Sequence, residues 1–192
     1  MRKVTAFNTP IVTPVLRFLS RCILKLAGWK ICGDVPDRER YVIVAAPHTS
    51  NWDFPLTLMA AFVYGLNARW LGKSSLFPPV IGSVMRWLGG ISIDRSSAAN
   101  RVQAIADALN EHDQLALIIA PEGTRSKVEQ WKSGFYHIAQ AADIPIKLSY
   151  INAPAKEMGF GPWIEPEGPL VDHMPEIREF YADKAGVRPK LG

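Results

Sequence analysis

At 192 residues the chain has the size of one domain and enough length to bury a core. Apolar residues make up 48%, which excludes a disordered chain; the net charge of +4, from 22 basic against 18 acidic residues, is too small an excess to select nucleic acid over an anionic lipid surface or a phosphate-bearing substrate. Cys22 and Cys32 stand alone, without metal-ligand spacing or a disulfide framework, which points to a reducing, cytosol-facing location.

The N-terminus carries Arg2 and Lys3 but no apolar core before Pro10 and Pro14, so no cleavable signal is expected. No stretch reaches the roughly 18 uncharged apolar residues of a spanning helix. From Val15 to Gly28 the basic residues Arg17, Arg21 and Lys25 recur every fourth position. Leu16, Leu19, Ile23 and Leu26 form the opposite stripe, widened by Phe18, Cys22 and Leu24. Such an amphipathic helix suits a membrane interface and equally suits a surface helix packed on its own core. We therefore expect an N-terminal amphipathic, membrane-associating segment over 1–30, followed by one domain over 31–192.

Strand and helix signals then alternate. Tyr41 to Ala46 is a short apolar run between Pro36 and Pro47, predicted as a buried strand. Asn51 can cap a helix that accepts Pro55 in its first turn and reaches about Tyr64. Ala68 to Leu71 predicts a weaker strand, Pro78-Pro79 opens a helix that ends at Gly89-Gly90, and Ile91 to Ile93 predicts another strand. Ala98, Val102, Ile105 and Leu109 mark one helical face, with Ser96 or Ser97 as cap. Leu115 to Ala120 is the clearest buried strand, Gly134 to Ala142 a helix, and Ile144 to Ile151 a strand. The proline- and glycine-rich stretch from Asn152 to Pro169 predicts a loop with short strands, and a last helix covers roughly Pro175 to Lys184. The alternation predicts an α/β fold with a mostly parallel central sheet covered by helices on both faces.

Two segments carry chemistry. His48-Thr49-Ser50-Asn51-Trp52-Asp53 follows the first buried strand, and ligands of open α/β sheets bind past strand carboxyl ends. Along one continuous helix, five residues would separate the two side chains by about 140°, at roughly 100° per residue. His48 and Asp53 can meet only if the histidine sits in the loop and the aspartate in the first helical turn. Asp53 would then fix the imidazole tautomer and leave Nε2 to take a proton from a hydroxyl. No Gly-x-Ser-x-Gly elbow is present, so the substrate's own hydroxyl is the simpler nucleophile.

The second segment, Pro121-Glu122-Gly123-Thr124-Arg125-Ser126, follows the clearest strand. Gly123 frees backbone N–H groups beside the Arg125 fork, a pattern that suits phosphate, although an ordinary polar turn has the same composition. Ile91-Ser92-Ile93-Asp94-Arg95 again ends a strand in an arginine. Its alternative is a surface ion pair of little worth. No basic run interleaved with aromatics appears, so nucleic acid is not an expected partner.

These residues resemble the glycerolipid acyltransferase family, best known through its 1-acylglycerol-3-phosphate acyltransferases. The family's His-x-x-x-x-Asp motif matches His48 and Asp53, and its Gly-x-Ile-x-Ile-Asp-Arg pattern matches Gly89 to Arg95 with one extra glycine. Its Pro-Glu-Gly-Thr-Arg-Ser block matches residues 121–126 in full, and its apolar strand around a proline matches Ile144-Pro145-Ile146. All four occur in order between about Tyr41 and Tyr150. Pro47 and Ala120 depart from a frequent asparagine and a frequent phenylalanine, and the block around His48 with a short tail resembles a compact bacterial subgroup.

The resemblance implies that 31–192 is an acyltransferase domain. It implies acyl transfer from acyl-ACP or acyl-CoA to a lysophospholipid hydroxyl, with 1-acylglycerol 3-phosphate as the leading acceptor and no covalent enzyme intermediate. His48 would be the base and Asp53 its orienting partner. Arg95 and Arg125 would hold the anionic head group, with Gly123 and Thr124 beside them, and Glu122 would position the acceptor. Lys73 and Lys132 are possible additions, with solvated surface lysine as the plainer role. No metal or cofactor is implied beyond the thioester co-substrate. The expected location is the cytoplasmic side of the inner (cell) membrane, as a peripheral protein. The run Phe54 to Tyr64 lines an acyl channel or serves as ordinary core. Other lysolipid acceptors, a hydrolase on the same pair, and a non-catalytic lipid-binding module are the competing readings.

Overall fold

The computed structural model describes residues 4–93, 98–126 and 128–188. Seven strands form one sheet in the order β1-β7-β6-β2-β5-β3-β4. They are β1 (Lys30–Cys32), β2 (Arg40–Ala46), β3 (Ala68–Lys73), β4 (Gly90–Ile93), β5 (Leu115–Ile119), β6 (Ile146–Asn152) and β7 (Glu157–Ile164). Every neighbouring pair is parallel except β6 with β7. This is the mostly parallel α/β sheet that the alternating signals predict.

The helices are α1 (Val12–Leu26), α2 (Asp53–Tyr64), α3 (Ile81–Trp87), α4 (Ala98–Asn110), α5 (Gly134–Ala142) and α6 (Leu170–Tyr181). Alternation along the strands divides the core in two. Val42, Val44, Leu115 and Leu117 join a cluster with α4, α5 and α6, through residues such as Leu109, Phe135 and Ile177. Tyr41, Ile43, Ala116 and Ile118 turn the other way and pack with α2 and with Ala6, Phe7 and Phe77. Side chains of adjacent strand residues point to opposite faces, so a valine- and isoleucine-rich run serves both cores at once.

Several boundaries differ from the sequence expectation. The stretch 152–169 is not loop with short strands: β7 runs eight residues through it, antiparallel to β6 and carrying β1 on its outer edge. Its glycines allow this. A side chain at Gly159 would come within 2.1 Å of the Cys32 carbonyl oxygen, and one at Gly161 within 2.2 Å of the Phe180 ring. The last helix begins at Leu170 and carries Pro175 inside it, where a missing N–H was expected to mark the start. Asn51 does not cap α2. Trp52 precedes the first helical residue, no side chain bonds the helix start, and Asn51 is engaged elsewhere. The cap expected at Ser96 or Ser97 lies outside the described residues.

The basic stripe of α1 is divided in the structure. Arg17 turns inward, and its Nε donates to the Phe62 carbonyl at 2.9 Å, near the carboxyl end of α2. A side chain at Gly65 would collide with that guanidinium. Ser20 and Leu24 are buried against the domain, while Arg21 and Lys25 stay exposed. The bulkier apolar residues point outward: Phe18 is 66% and Leu26 88% exposed, with Val15, Leu19 and Ile23 beside them. The helix thus packs by a narrow seam of Leu16, Arg17, Ser20 and Leu24, and the rest of the apolar stripe faces outward.

Candidate active site

β2 and β5 run parallel in register from Arg40 opposite Leu115 to Val44 opposite Ile119. The segments that follow them, 47–53 and 120–126, therefore leave the sheet side by side. Both strands are almost entirely buried, so polar chemistry can begin only where they end. The Ala46–Pro47 peptide is cis, and His48 follows it.

His48 and Asp53 meet as the spacing requires, one in the loop and the other in the first turn of α2. The histidine Nδ1 lies 3.2 Å from Asp53 Oδ2. The same oxygen accepts the backbone N–H groups of Thr49 and Ser50, each at 2.7 Å. Asp53 is buried, and His48 is half-buried. An aspartate held by two amides presents a fixed acceptor to the ring, and Nε2 remains for a substrate proton.

Glu122 supplies a second tie. Its Oε1 accepts the backbone N–H of His48 at 3.0 Å, while Oε2 is buried without a hydrogen-bond partner. Burial raises the pKa of this carboxyl above the ordinary glutamate value. The nearby Asp53 charge adds to that rise, and its backbone hydrogen bonds and His48 act against it. Nothing in the sequence showed that Glu122 would bond to the histidine loop. The one available signal was a carboxylate placed directly after a strand buried on both faces.

Gly123 adopts a positive φ of 62°. The turn needs glycine for this conformation, and the flexible Lys132 side chain lies against it, 2.8 Å from where a Cβ would stand. Lys132 is exposed and lies over this turn, with its own N–H donating to the Pro121 carbonyl at 2.9 Å. The Arg125 guanidinium donates to the Asn51 side-chain oxygen, which joins the turn to the histidine loop. On the opposite face of the sheet, the Tyr181 hydroxyl of α6 lies 2.9 Å from both the Val44 and the Ser149 carbonyl.

A cavity of about 620 Å³ opens beside the pair, bordered by His48 and Asp53 and by Gly123, Thr124 and Arg125. It continues along α2 past Phe54, Thr57, Leu58 and Ala61. One end reaches Trp70, Leu76 and Met85, and the other reaches Tyr64, Met158 and Phe160. The apolar run of α2 therefore lines a channel and fills core at the same time, since Leu56 and Phe62 pack away from the space. Lys73 stands at the carboxyl end of β3 on the cavity border, whereas Lys132 does not border it. Arg95 lies outside the described residues.

Fold and site define an α/β protein with a histidine–aspartate pair and an arginine turn at the carboxyl ends of parallel strands, facing an apolar channel. The family described as Acyltransferase matches residues 32–147. The chain belongs to this acyltransferase family. Among known proteins it is similar to 1-acyl-sn-glycerol-3-phosphate acyltransferases of Limnanthes alba and Limnanthes douglasii, each 34% identical over 79 residues. That alignment takes in 38% of this chain and 28% of either relative, so the chain spans little more than a quarter of their length. The crystal structure of the 1-acyl-sn-glycerophosphate (LPA) acyltransferase PlsC from Thermotoga maritima superposes with a TM-score of 0.65 at 18% identity, covering 90% of this chain and 77% of that one. The fold is shared with that protein.

Proposed function

We propose that the chain is an O-acyltransferase that moves a fatty acyl group from an acyl-ACP or acyl-CoA thioester to the hydroxyl of 1-acylglycerol 3-phosphate, giving phosphatidic acid. The observation that carries this reading is the His48–Asp53 contact of 3.2 Å at the wall of an apolar channel. In the reaction the acceptor hydroxyl gives its proton to His48 Nε2 as its oxygen attacks the thioester carbonyl. Collapse of the tetrahedral intermediate breaks the C–S bond, and the departing thiolate takes the proton back from Nε2. Asp53 favours the imidazolium between the two transfers. Glu122 acts on the acceptor indirectly, by holding the loop that bears His48.

The acceptor phosphate is held by Arg125, with Gly123 and Thr124 beside it and Arg95 from the strand-ending motif. Asn51 presets the Arg125 fork, which lowers the ordering cost of a bidentate contact. The channel beside α2 takes an acyl chain, because its walls are side chains of leucine, alanine and aromatic residues.

The substrates are met at a lipid surface, on the cytoplasmic side of the cell membrane. No helix among the described residues is long and apolar enough to cross a membrane. Support for a peripheral contact comes from the apolar faces left outside on the α2 side of the sheet. These are Phe18, Leu19 and Ile23 of α1, flanked by Arg21 and Lys25, and Ile81 and Val84 of α3, next to Val80 at 82% exposure. Isolated exposed leucines are ordinary, but two helices on the same side of the sheet with apolar residues outward are not. The Ala6 N–H bond to the Trp87 carbonyl at 2.9 Å links the chain leading into α1 to the end of α3.

The deciding experiment offers purified protein acyl-ACP and acyl-CoA against lysophosphatidic acid and other lysolipids. Product diacyl phospholipid is expected from lysophosphatidic acid, with His48→Ala reducing transfer by at least about 10²–10⁴-fold while the circular dichroism spectrum is kept. Free fatty acid as sole product would replace this reading with hydrolysis.

A further inference from the structure

The segment after α6 returns to the catalytic loop. Ala185 is fixed at the end of β6: its carbonyl accepts the Ala153 N–H at 2.8 Å, and its N–H donates to Asn152 Oδ1 at 3.4 Å. Gly186 is buried against Thr49, so closely that an added Cβ would lie 2.3 Å from Thr49 Oγ1 and 2.7 Å from its methyl carbon. Val187 packs against the cluster of Leu24, Leu56, Ile151 and Met158. The Arg188 N–H then donates to Thr49 Oγ1 at 3.0 Å.

Thr49 is the joint. It is 1% exposed, its own N–H donates to Asp53 Oδ2, and its hydroxyl oxygen accepts from the returning segment. We propose that residues 185–188 form a positioning strap that seats Thr49 and, through it, the Asp53–His48 pair. The strap touches no reacting atom. Three groups share one oxygen of Asp53: the amides of Thr49 and Ser50 and the ring of His48. A shift of Thr49 therefore moves the acceptor that sets the imidazole. The position following Gly186 is pinned by the apolar contact of Val187, and the position preceding it by the β6 end, so the Arg188 N–H is delivered to the hydroxyl by contacts on both sides. Displacements of about 1 Å in such a support can cost about a hundredfold in rate.

This inference rests on the reading of His48 as base. Two variants remove the same hydrogen bond from opposite sides: Arg188→Pro deletes the donor N–H, and Thr49→Val deletes the acceptor while keeping the branched shape. Each is expected to lower kcat about tenfold or more with KM for donor and acceptor within about twofold of wild type. Thr49→Ser keeps the hydroxyl and is expected to retain most of kcat. The double variant should lose no more than either single one, because both act on one contact. Independently of turnover, amide hydrogen exchange at Thr49 and Ser50 should quicken in Arg188→Pro while amides in β2 and β5 keep their protection. Unchanged kcat and exchange in the single variants, fully additive losses, or rate losses that follow a lowered Tm without rescue by serine would each overturn the strap. If the wild-type protein transfers no acyl group, the assignment of His48 fails, and the exchange measurement still decides whether the strap holds the loop.

Discussion

On one face of the sheet, α4, α5 and α6 seal a core in which Phe135, Tyr136, Leu117 and Leu148 are almost wholly hidden; on the other, α2 and the strands border a channel of about 620 Å³, and α1 and α3 leave Phe18, Ile23, Ile81 and Val84 outside. Both faces are made from the same strands, with alternate side chains contributing to each. The closed face supplies stability. The open face gives up packing density to the channel and presents apolar surface that no part of the described chain covers. The packed core and the channel thus lie on opposite sides of one sheet, and the His48–Asp53 pair sits where the strands end.

Truncating one leucine on each face separates the two. Leu117→Ala on the closed face is expected to destabilise by about 3–5 kcal/mol in urea unfolding, since Leu117 is wholly buried among packed side chains. Leu58→Ala on the channel wall should cost less, about 2 kcal/mol, because the side chain already borders empty volume. It should also shift donor preference toward longer acyl chains, measured by competition between thioesters. Equal losses at the two positions would contradict the division into a packed and an open face.

Glu122 gives a test by pH. Burial holds its folded pKa above the unfolded carboxylate value near ~4.3, so the folded chain retains the proton longer. Its contribution to stability is therefore full below that value and is lost as pH rises through the unfolded and then the folded pKa. Glu122→Gln removes this slope, and Tm plotted against pH across that window should be flatter in the variant than in wild type. Parallel profiles would show that the buried carboxyl does not titrate with folding. The smallest effect on stability is expected from reversing Arg21 and Lys25 to glutamate, within about 0.5 kcal/mol for exposed sites. The same pair of changes should release the protein from anionic vesicles in a flotation assay. Arg17 is left out of that pair, because its bond to the Phe62 carbonyl makes it part of the fold.

Much of this was legible in the chain. The strands at Tyr41–Ala46 and Leu115–Ala120 were marked by unbroken apolar runs, and the helix Gly134–Ala142 has the same bounds in the structure. Helix geometry set the condition on which His48 and Asp53 could meet, a histidine in the loop and an aspartate in the first helical turn, and the structure meets that condition. Strand β7 was less legible, because its glycines and Pro162 read as loop until the close approaches of Cys32 and Phe180 explain them.

Local pattern determined the elements, the parallel sheet and the two segments that bear the chemistry, because hydrophobic periodicity and glycine turns act between near neighbours. The tertiary structure alone decided which side of α1 packs, that Asn51 serves Arg125 instead of the helix end, and that Glu122 bonds to the His48 loop. It alone brought Arg188 to Thr49, across 139 positions of chain. Such pairings depend on which strands lie side by side and where their ends emerge, and no spacing along the sequence encodes that.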